Sequence, residues 1–423
     1  MKTLVALAVL VTAGARTVGW DDLPPAVHAR LQRSGHTAST FPAFVSSLSR
    51  AAETRVREGD FDHLVFYVLQ STHFTRLPPI EPALSAKAFT SGGGVPPAAA
   101  ARIAAFLRTI ASADADPRVS YFRGLLGAVP RSERRQLIER EYARAMKFLY
   151  EQEFVDRSKT AQLYQTRGLS TDSAVDAGVA MTTGLRIIRA LDPSRRIRRV
   201  LIVGPGLDLA PRTGMLEAGP PASYQPWQVI DALVSLRLSG LDDLEVVGAD
   251  INPRVVDHLR QVRERPPVLR LVSALRETGA VSYAIDFRVY FSELGHSIGR
   301  IGKADGPSGH LSKTLTATRE AAAAVRGERL NVVTERLDGA PFDLAIATNI
   351  LPYFGDVELA LALSNIAAML APGAVLLHNE VRPTLGEIAR DAGLPLEQSR
   401  QVIIATVKGG PPLADTVFLH RRR

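Results

Sequence analysis

The chain has 423 residues, of which 46% are hydrophobic and 22% are charged, a composition typical of a globular protein with two or three domains. It contains no cysteine, which excludes disulfides, thiolate catalysis and cysteine-based metal sites. The net charge is +8 at pH 7, but the only tight basic run is residues 421–423, so nucleic-acid binding is not indicated. The nine histidines show no metal-ligand spacing, and we expect no metal site.

Residues 1–20 have the features of a signal peptide. Lys2 precedes an apolar run over residues 4–11, and small residues follow that would allow cleavage after Ala15. The run is too short to span a membrane, and we expect no transmembrane segment. The alternative is the first turn of a buried helix, so the sequence leaves export and a cytoplasmic location both open.

Residues 21–160 are predicted to form an all-helical N-terminal domain. Apolar residues recur there at spacings of three and four, and no parallel-strand pattern is present. The glycine- and proline-rich residues 91–97 predict a loop, and Ser132 is predicted to begin a long helix. This domain could shape a substrate cleft or simply pack on the rest of the fold.

The connector of residues 164–172 leads to the helix before the first predicted strand. Ser170 or Thr171 is expected to cap that helix. Such a connector lies above the carboxyl edge of the strand, so Tyr164 and Arg167 are candidate substrate residues. The alternative is a helix-start loop with a solvated arginine.

The strand at residues 200–203 runs directly into the turn Gly204-Pro205-Gly206. A continuous apolar run is typical of a parallel strand covered on both faces, and two glycines let the backbone approach a ligand that a Cβ would block. The third glycine of the dinucleotide fingerprint would fall at Leu209, so no pyrophosphate site is indicated.

The second predicted strand, residues 244–250, ends in Asp250, whose carboxylate can accept hydrogen bonds from both hydroxyls of a ribose. Together with Gly204 and Gly206, Asp250 predicts a nucleoside site at the carboxyl edge of a parallel sheet. The alternative is a turn whose glycines have only a structural role.

A long insertion precedes the first crossover helix, which is predicted to begin near Pro226. The insertion lies outside the carboxyl end of the first strand, where ligands bind in open α/β sheets. Glu217, Tyr224 and Trp227 are therefore candidates for the mouth of the substrate site.

Residues 266–329 interrupt the alternation of strands and helices and predict an inserted subdomain. It contains strand-like stretches at residues 268–272 and 281–291, the second with apolar residues at every other position. The core is predicted to resume with a strand at residues 330–334.

The remaining core elements are a buried strand ending at Asn349, a helix over residues 356–370, a strand over 374–380, and an antiparallel hairpin formed by 401–407 and 416–420. This order predicts an α/β fold with a doubly wound, seven-stranded sheet that has a terminal antiparallel strand, preceded by the helical domain. The sheet domain is predicted to cover residues 161–423.

The order of elements from about Tyr164 to His420 resembles that of class I (Rossmann-like) S-adenosylmethionine-dependent methyltransferases, down to the segment Leu-Ala-Pro-Gly-Ala-Val-Leu-Leu-His-Asn-Glu at residues 370–380. A more distant similarity is to the chemotaxis-receptor methyltransferase type, whose Asn-x-x-x-Tyr-Phe pattern is matched at residues 349–354. The glycine loop differs from that type, and its Glu-Glu-Pro-Tyr signature is only echoed by residues 224–227.

The resemblance implies S-adenosyl-L-methionine as the cofactor and methyl transfer to an acceptor. The residues that it assigns to cofactor binding are Gly204, Pro205, Gly206, Asp208, Asp250, Ile251, Glu335, Arg336 and Asn349. Asp208 would hold the amino group, Ile251 would cover the adenine, and Glu335 or Arg336 would meet its edge. Asn349 and Tyr353 would lie beside the reactive sulfonium as the catalytic residues, with Tyr353 facing the acceptor.

Two other classes of function remain open. One is a nicotinamide-dependent oxidoreductase, which Leu209 disfavours. The other is a non-catalytic exported binding protein with the same fold, which a cleaved signal peptide would favour, because S-adenosylmethionine is made and kept in the cytosol. The sequence identifies neither the acceptor, a small molecule or a protein, nor the oligomeric state.

Overall fold

The computed structural model describes residues 14–155, 160–209, 217 and 219–423. The apolar run of the predicted signal peptide lies outside these residues. Ala15–Thr17 form a short strand, β1, which pairs antiparallel with a strand at Glu335–Leu337. Cleavage after Ala15 would therefore fall inside β1.

The described part of the N-terminal region consists mainly of helices. Each of the first five has a proline in its first turn, where a backbone N–H would have no acceptor within the helix, so that the missing donor costs nothing. The helices are α1 Pro25–Arg33, α2 Phe41–Gln70, α3 Pro82–Gly92, α4 Pro97–Ile110, α5 Pro117–Leu125, α6 Arg134–Tyr150, α7 Thr160–Thr166 and α8 Gly178–Leu191. The predicted loop lies between α3 and α4, and α6 begins two residues after Ser132. Ser170 and Thr171 do not cap α8, because that helix begins only at Gly178.

Strands and helices then alternate. The strands are β2 Arg199–Val203, β3 Glu245–Asp250, β4 Val268–Val272, β5 Val281–Tyr283, β6 Gly299–Gly302, β7 Ser312–Ala317, β8 Val325–Arg329, β9 Glu335–Leu337, β10 Phe342–Ala347, β11 Leu370–His378, β12 Leu396–Val407 and β13 Leu413–Arg421. The helices are α9 Gln225–Ser235, α10 Pro253–Glu264, α11 Ile285–Glu293, α12 Arg319–Ala324, α13 Asp356–Met369 and α14 Leu385–Asp391.

The large sheet is mostly parallel and has the order β5-β12-β13-β11-β10-β2-β3-β8. Strands β8, β3, β2, β10 and β11 are parallel, while β13 lies antiparallel between β11 and β12. The chain leaves β2 toward β3 and β8 on one side, and β10 leads to β11 on the other. The predicted count of seven strands is one too few, because β5 adds an eighth at the edge of β12.

The central strands are covered on both faces. Val200 and Ile202 of β2 contribute to one hydrophobic core, and Leu201 and Val203 to the other, as alternation along a strand requires. Residues of α2 belong to both cores, so the helical region packs directly on the sheet. The division into domains near residue 160 stays a prediction.

One predicted strand is wrong in its second part and another in its position. Within the predicted stretch 281–291, residues 281–283 do form a strand, β5. Residues 285–291 form helix α11, in which Phe287, Tyr290 and Phe291 are buried, while Ile285 is 79% exposed. The third strand of the core is β8, five residues before the predicted position, and residues 332–334 form a turn. The predicted subdomain at 266–329 does contain a separate three-stranded sheet of β4, β7 and β6, but its range also includes β8 of the large sheet.

Candidate active site

A cleft of about 1110 Å³, its open mouth included, lies at the carboxyl ends of β2, β3, β8 and β10. This position is the topological switch point, where the order of the strands reverses and ligands bind in open α/β sheets. The position of the cleft and the residues that line it, rather than its volume, identify it as the candidate ligand site.

The glycine loop after β2 forms one wall, and both of its glycines have positive φ, +66° at Gly204 and +73° at Gly206. A Cβ on Gly204 would lie 2.5 Å from Cγ2 of Ile350, and one on Gly206 would lie 2.6 Å from the carbonyl oxygen of Thr171. The same carbonyl oxygen accepts a 2.6 Å hydrogen bond from the N–H of Leu207. The glycines are thus required by the packing of the loop as well as by any ligand.

Asp250 lies in the cleft at the end of β3 and is only 7% exposed. Its Oδ1 accepts a 2.8 Å hydrogen bond from the N–H of Asn252. Burial raises the pKa of this carboxyl group to about 7, and backbone N–H donors nearby oppose the shift only in part. Hydroxyl donors from a ligand would stabilise the ionised carboxylate further.

Glu335 and Arg336 do not line the cleft, which corrects the sequence prediction. They belong to β9, where Glu335 accepts the N–H of Asn331 and Arg336 donates to Asn365, away from the sheet edge. Because β8 ends at Arg329, the residues that line the cleft after the third strand are instead 330–333. Ile251 lines the cleft beside Asp250.

Asn349 and Tyr353 both line the cleft beyond β10. Asn349 has a φ of +61°, and its side-chain oxygen accepts a 2.8 Å hydrogen bond from Nδ2 of Asn379, which also donates to Asp415. The N–H of Asn349 donates to Oδ1 of Asn379 at 2.9 Å. The neighbouring strand end therefore holds Asn349 in its left-handed conformation. Burial raises the pKa of Tyr353 to about 12, so its hydroxyl is protonated at neutral pH.

Three other predicted residues lie elsewhere. Asp208 pairs through its backbone with Ala222 and is not among the residues that line the cleft. Trp227 is 1% exposed and packs in a hydrophobic core, against which Tyr224 also packs. Residues three apart on a helix share a face. The cleft side of α9 is therefore formed by Gln225 and Gln228, while Tyr224 and Trp227 share another side.

Glu217, Arg167 and Tyr164 also lie outside the wall of the cleft. A carboxylate oxygen of Glu217 accepts the N–H of Thr72 at 3.3 Å. Arg167 is paired with the buried Asp62 at 3.4 Å, which corrects both its substrate role and the alternative of a solvated arginine. The ring of Tyr164 packs edge-on against that of Tyr353, with centroids 5.5 Å apart, so Tyr164 supports a residue of the wall.

The sequence analysis missed the contribution of α2. Leu48, Ala52, Arg55 and Val56 of this helix line the cleft together with the residues that follow the strands. The side chain of Ser49 donates to Thr334 at 3.1 Å, which fixes this part of the helix over the residues that follow β8. Helix α2 is therefore the roof of the cleft.

Three polar residues in the middle of α2 hold this roof in place. Asp60 accepts hydrogen bonds from Asn252, next to Asp250, and is paired with Arg254. Asp62 is paired with Arg144 as well as with Arg167. A short Asp-x-Asp-His run inside a long helical pattern is the signal that could have indicated these contacts.

His63 is the third of these residues and is 1% exposed. The N–H of Thr171 donates to its Nε2 at 3.0 Å, while Nδ1 lies 3.2 Å from Oδ1 of Asp172. Nε2 therefore acts as an acceptor, and the ring proton belongs on Nδ1, facing the carboxylate. Asp172 lines the cleft next to the glycine loop, the position in which the sequence analysis expected Asp208.

No group of three or more His, Cys, Asp or Glu side chains that could hold a metal ion occurs among the described residues. Within the same residues, no helix is both long enough and apolar enough to cross a membrane.

No family model and no curated protein matches the chain. Several solved structures are similar to it. TrmN from Thermus thermophilus is 13% identical over 59% of this chain and 52% of that one, with a TM-score of 0.28, so the match spans about half of TrmN. A TehB-like SAM-dependent methyltransferase from Corynebacterium glutamicum is 14% identical over 63% of this chain and 93% of that one, with a TM-score of 0.28.

Magnesium protoporphyrin IX methyltransferase (ChlM) from Synechocystis PCC 6803, solved with bound SAM, is 10% identical over 74% of this chain and 100% of that one, with a TM-score of 0.29.

Proposed function

We propose that the protein is an S-adenosylmethionine-dependent methyltransferase. The observation that carries the proposal is that Gly204, Gly206, Asp250 and Asn349 line one large cleft at the point where the strand order reverses. Such a site suits a nucleoside ligand that approaches a glycine loop closely and presents hydroxyl groups to a buried carboxylate.

The residues present fit this cofactor. Asp250 would accept the ribose hydroxyls, and Ile251 and residues 330–333 would enclose the adenine on an apolar wall. The carboxylate of Asp172 would meet the positively charged amino group beside the glycine loop, in the role first assigned to Asp208. The side chain of Asp172 is 49% exposed, which leaves it accessible from the cleft.

The cofactor supplies a methyl group already activated by a positively charged sulfur. In such a transfer the acceptor atom would form the new bond with its lone pair as the carbon–sulfur bond broke, the bonding pair would stay on sulfur, and an acceptor that carried a proton would release it to solvent. The protein's contribution is alignment and the exclusion of water. Asn349 and Tyr353 stand at the β10 side of the cleft, and they are the residues we propose to orient the acceptor.

The nicotinamide alternative has no comparable support. Leu209, at the position of the third fingerprint glycine, is 1% exposed and belongs to the core. Helix α9, which follows β2 in the crossover to β3, begins only at Gln225. A pyrophosphate is normally held by a helix that starts directly at the glycine loop.

Isothermal titration calorimetry with S-adenosylhomocysteine and with NAD tests the proposal. We expect S-adenosylhomocysteine to bind and NAD not to bind. Binding of NAD alone would favour an oxidoreductase. Binding of neither ligand would contradict the proposed function and favour the non-catalytic binding protein.

A separate proposal concerns cleavage of the N-terminus, on which export of the protein would depend. We propose that Gly14 and Ala15 stay part of the folded chain, because Ala15 is paired with Leu337 in the ladder of β1 and β9 and the carbonyl oxygen of Gly14 accepts a hydrogen bond from the N–H of Asp338. Mass spectrometry of the protein from its native host locates the mature N-terminus. An N-terminus at Arg16 would support export and contradict this proposal.

A further inference from the structure

The guanidinium of Arg55 is held in the roof of the cleft by backbone carbonyl groups. Its Nε donates to the carbonyl oxygen of Arg167 at 2.9 Å, and its Nη2 donates to those of Tyr164 at 3.1 Å and Tyr353 at 3.0 Å. The guanidinium carbon lies 6.0 Å from the centre of the Tyr353 ring. These bonds fix the orientation of the group and leave Nη1 without a hydrogen bond to any described residue.

The charge of Arg55 is not neutralised by an ion pair. No carboxylate in the part of the chain that the structure describes lies within 4.0 Å of its nitrogens. Glu358 lines the same side of the cleft, but its Oε2 accepts the N–H of Gly355 at 2.9 Å. Burial lowers the pKa of Arg55, and the charges of Glu358 and Glu58 oppose this shift only in part, so an anion bound directly to the guanidinium would stabilise the buried cation further.

The position of Arg55 separates it from the expected nucleoside. Asp250 stands at the end of β3, whereas Arg55 contacts the backbone of Tyr353, beyond β10 on the other side of β2. The neighbours of Arg55 in the wall on this side include Val56, Ile350 and Phe354, which are apolar. We call this part of the cleft, next to Arg55, the second compartment: it combines these apolar side chains with one fixed cation and the carboxylate of Glu358.

We infer that this compartment binds a small acceptor with an apolar body and an anionic oxygen group, a carboxylate or a phosphate, which Arg55 holds through Nη1. The inference rests on the proposed methyltransferase function. An acceptor held in this way presents its remaining atoms toward Tyr353 and Asn349, where the methyl group would be transferred. Arg55 is thus a specificity-determining residue.

The test uses the full chain saturated with S-adenosylhomocysteine, so that the cofactor part of the cleft is filled first. Benzoate and phenyl phosphate serve as anionic probes, and benzamide is the neutral probe of similar shape. We expect at least one anion to bind the wild-type complex and benzamide to bind about tenfold more weakly or not at all, because a charge-assisted hydrogen bond is lost.

Arg55→Gln should weaken binding of the anion by about tenfold or more, whereas Arg55→Lys, which keeps the charge, should retain part of it. Arg50→Gln is the matched control, since Arg50 lies on the same helix, is exposed and donates a side-chain hydrogen bond to Ser46, outside the wall of the cleft. It should leave anion binding unchanged. Thermal melting of each variant shows whether the loss of the three carbonyl bonds unfolds the roof.

The outcomes separate the inference from the proposed function. If the wild-type chain does not bind S-adenosylhomocysteine, the proposed function fails before the probes are used. If it binds, but neither anion is preferred over benzamide, the anionic acceptor is wrong. If Arg55→Gln stays folded but loses affinity for S-adenosylhomocysteine itself, Arg55 holds the carboxylate of the cofactor, and the acceptor assignment is overturned.

Discussion

Replacing Asp250 by asparagine should weaken cofactor binding and make it independent of pH. The pKa of Asp250 is raised to about 7 by burial, so in the ligand-free protein roughly one molecule in ten is ionised at about pH 6 and most are ionised at about pH 8. Ribose hydroxyls donate to the ionised form. The affinity for S-adenosylhomocysteine should therefore rise up to tenfold across this range in the wild type.

The magnitude of the substitution effect follows from the same geometry. The side-chain amide in D250N offers one neutral oxygen in place of a carboxylate that is 7% exposed, so about 1 to 3 kcal/mol of binding free energy should be lost at about pH 8. The folded state raises the pKa above its ordinary value, and it therefore holds a proton that the unfolded chain releases between about pH 4 and 7. Ionisation of Asp250 thus costs stability as pH rises through this window. D250N should melt no lower than the wild type at about pH 8.

The assay is calorimetric titration at several pH values, with melting temperatures measured in parallel. Asp257→Asn is the control, because Asp257 is an exposed carboxylate on the following helix. A wild-type affinity that is flat with pH, or a folded D250N protein with unchanged affinity, would refute the assignment of the ribose to Asp250.

Three further predictions follow from the site and the core. Tyr353→Phe should lower methyl transfer about tenfold or more while cofactor affinity and melting temperature stay nearly unchanged, once labelled S-adenosylmethionine has identified an acceptor; a matching loss of stability would make the hydroxyl structural. Gly206→Ala should lower the free energy of unfolding, measured with denaturant, by about 1 to 3 kcal/mol, and by more than Gly373→Ala does. Both glycines have positive φ, but only at Gly206 would the added Cβ meet a backbone oxygen. Equal losses for the two variants would show that the loop moves to accommodate the Cβ. Burial lowers the pKa of the stacked His378 and His420, so below about pH 6.5 the unfolded chain binds more protons than the folded chain, and the free energy of unfolding should fall as the pH decreases from there. His378→Phe should reduce the slope of the free energy of unfolding with pH. An unchanged slope would assign the pH dependence to other groups.

The elements that were predicted correctly have strong local signals. The apolar run of β2 before two glycines, and the polar residues Asp250 and Asn349 directly after buried strands, identify strand ends that meet at one edge of a parallel sheet. The mistaken strand at residues 285–291 shows the limit of such signals. The same segment contains Tyr290 outside the alternating set, and Phe287, Tyr290 and Phe291 together have the spacing of three and four that buries one face of α11.

The position of the third strand was predicted wrongly because its local signal is weak. Strand β8 contains Arg326, Gly327 and Glu328, so it lacks the apolar run from which a buried strand is predicted. Gly327 is needed because a Cβ there would lie 2.6 Å from the carbonyl oxygen of Val256, so packing against α10 decides the residue. Because the third strand ends five residues earlier than predicted, Glu335 and Arg336 lie outside the cleft.

The sequence alone predicted the α/β class, the strand ends that form the candidate cleft and the carboxylate within it, since each depends on residues close together in the chain. Only the tertiary structure decided what covers that cleft. Arg55 reaches the carbonyl oxygen of Tyr353 across 298 positions of sequence, and His63 reaches Thr171 across 108. Contacts of this kind leave no periodic pattern in either segment, because they depend on how a helix docks on a sheet edge formed much later in the chain.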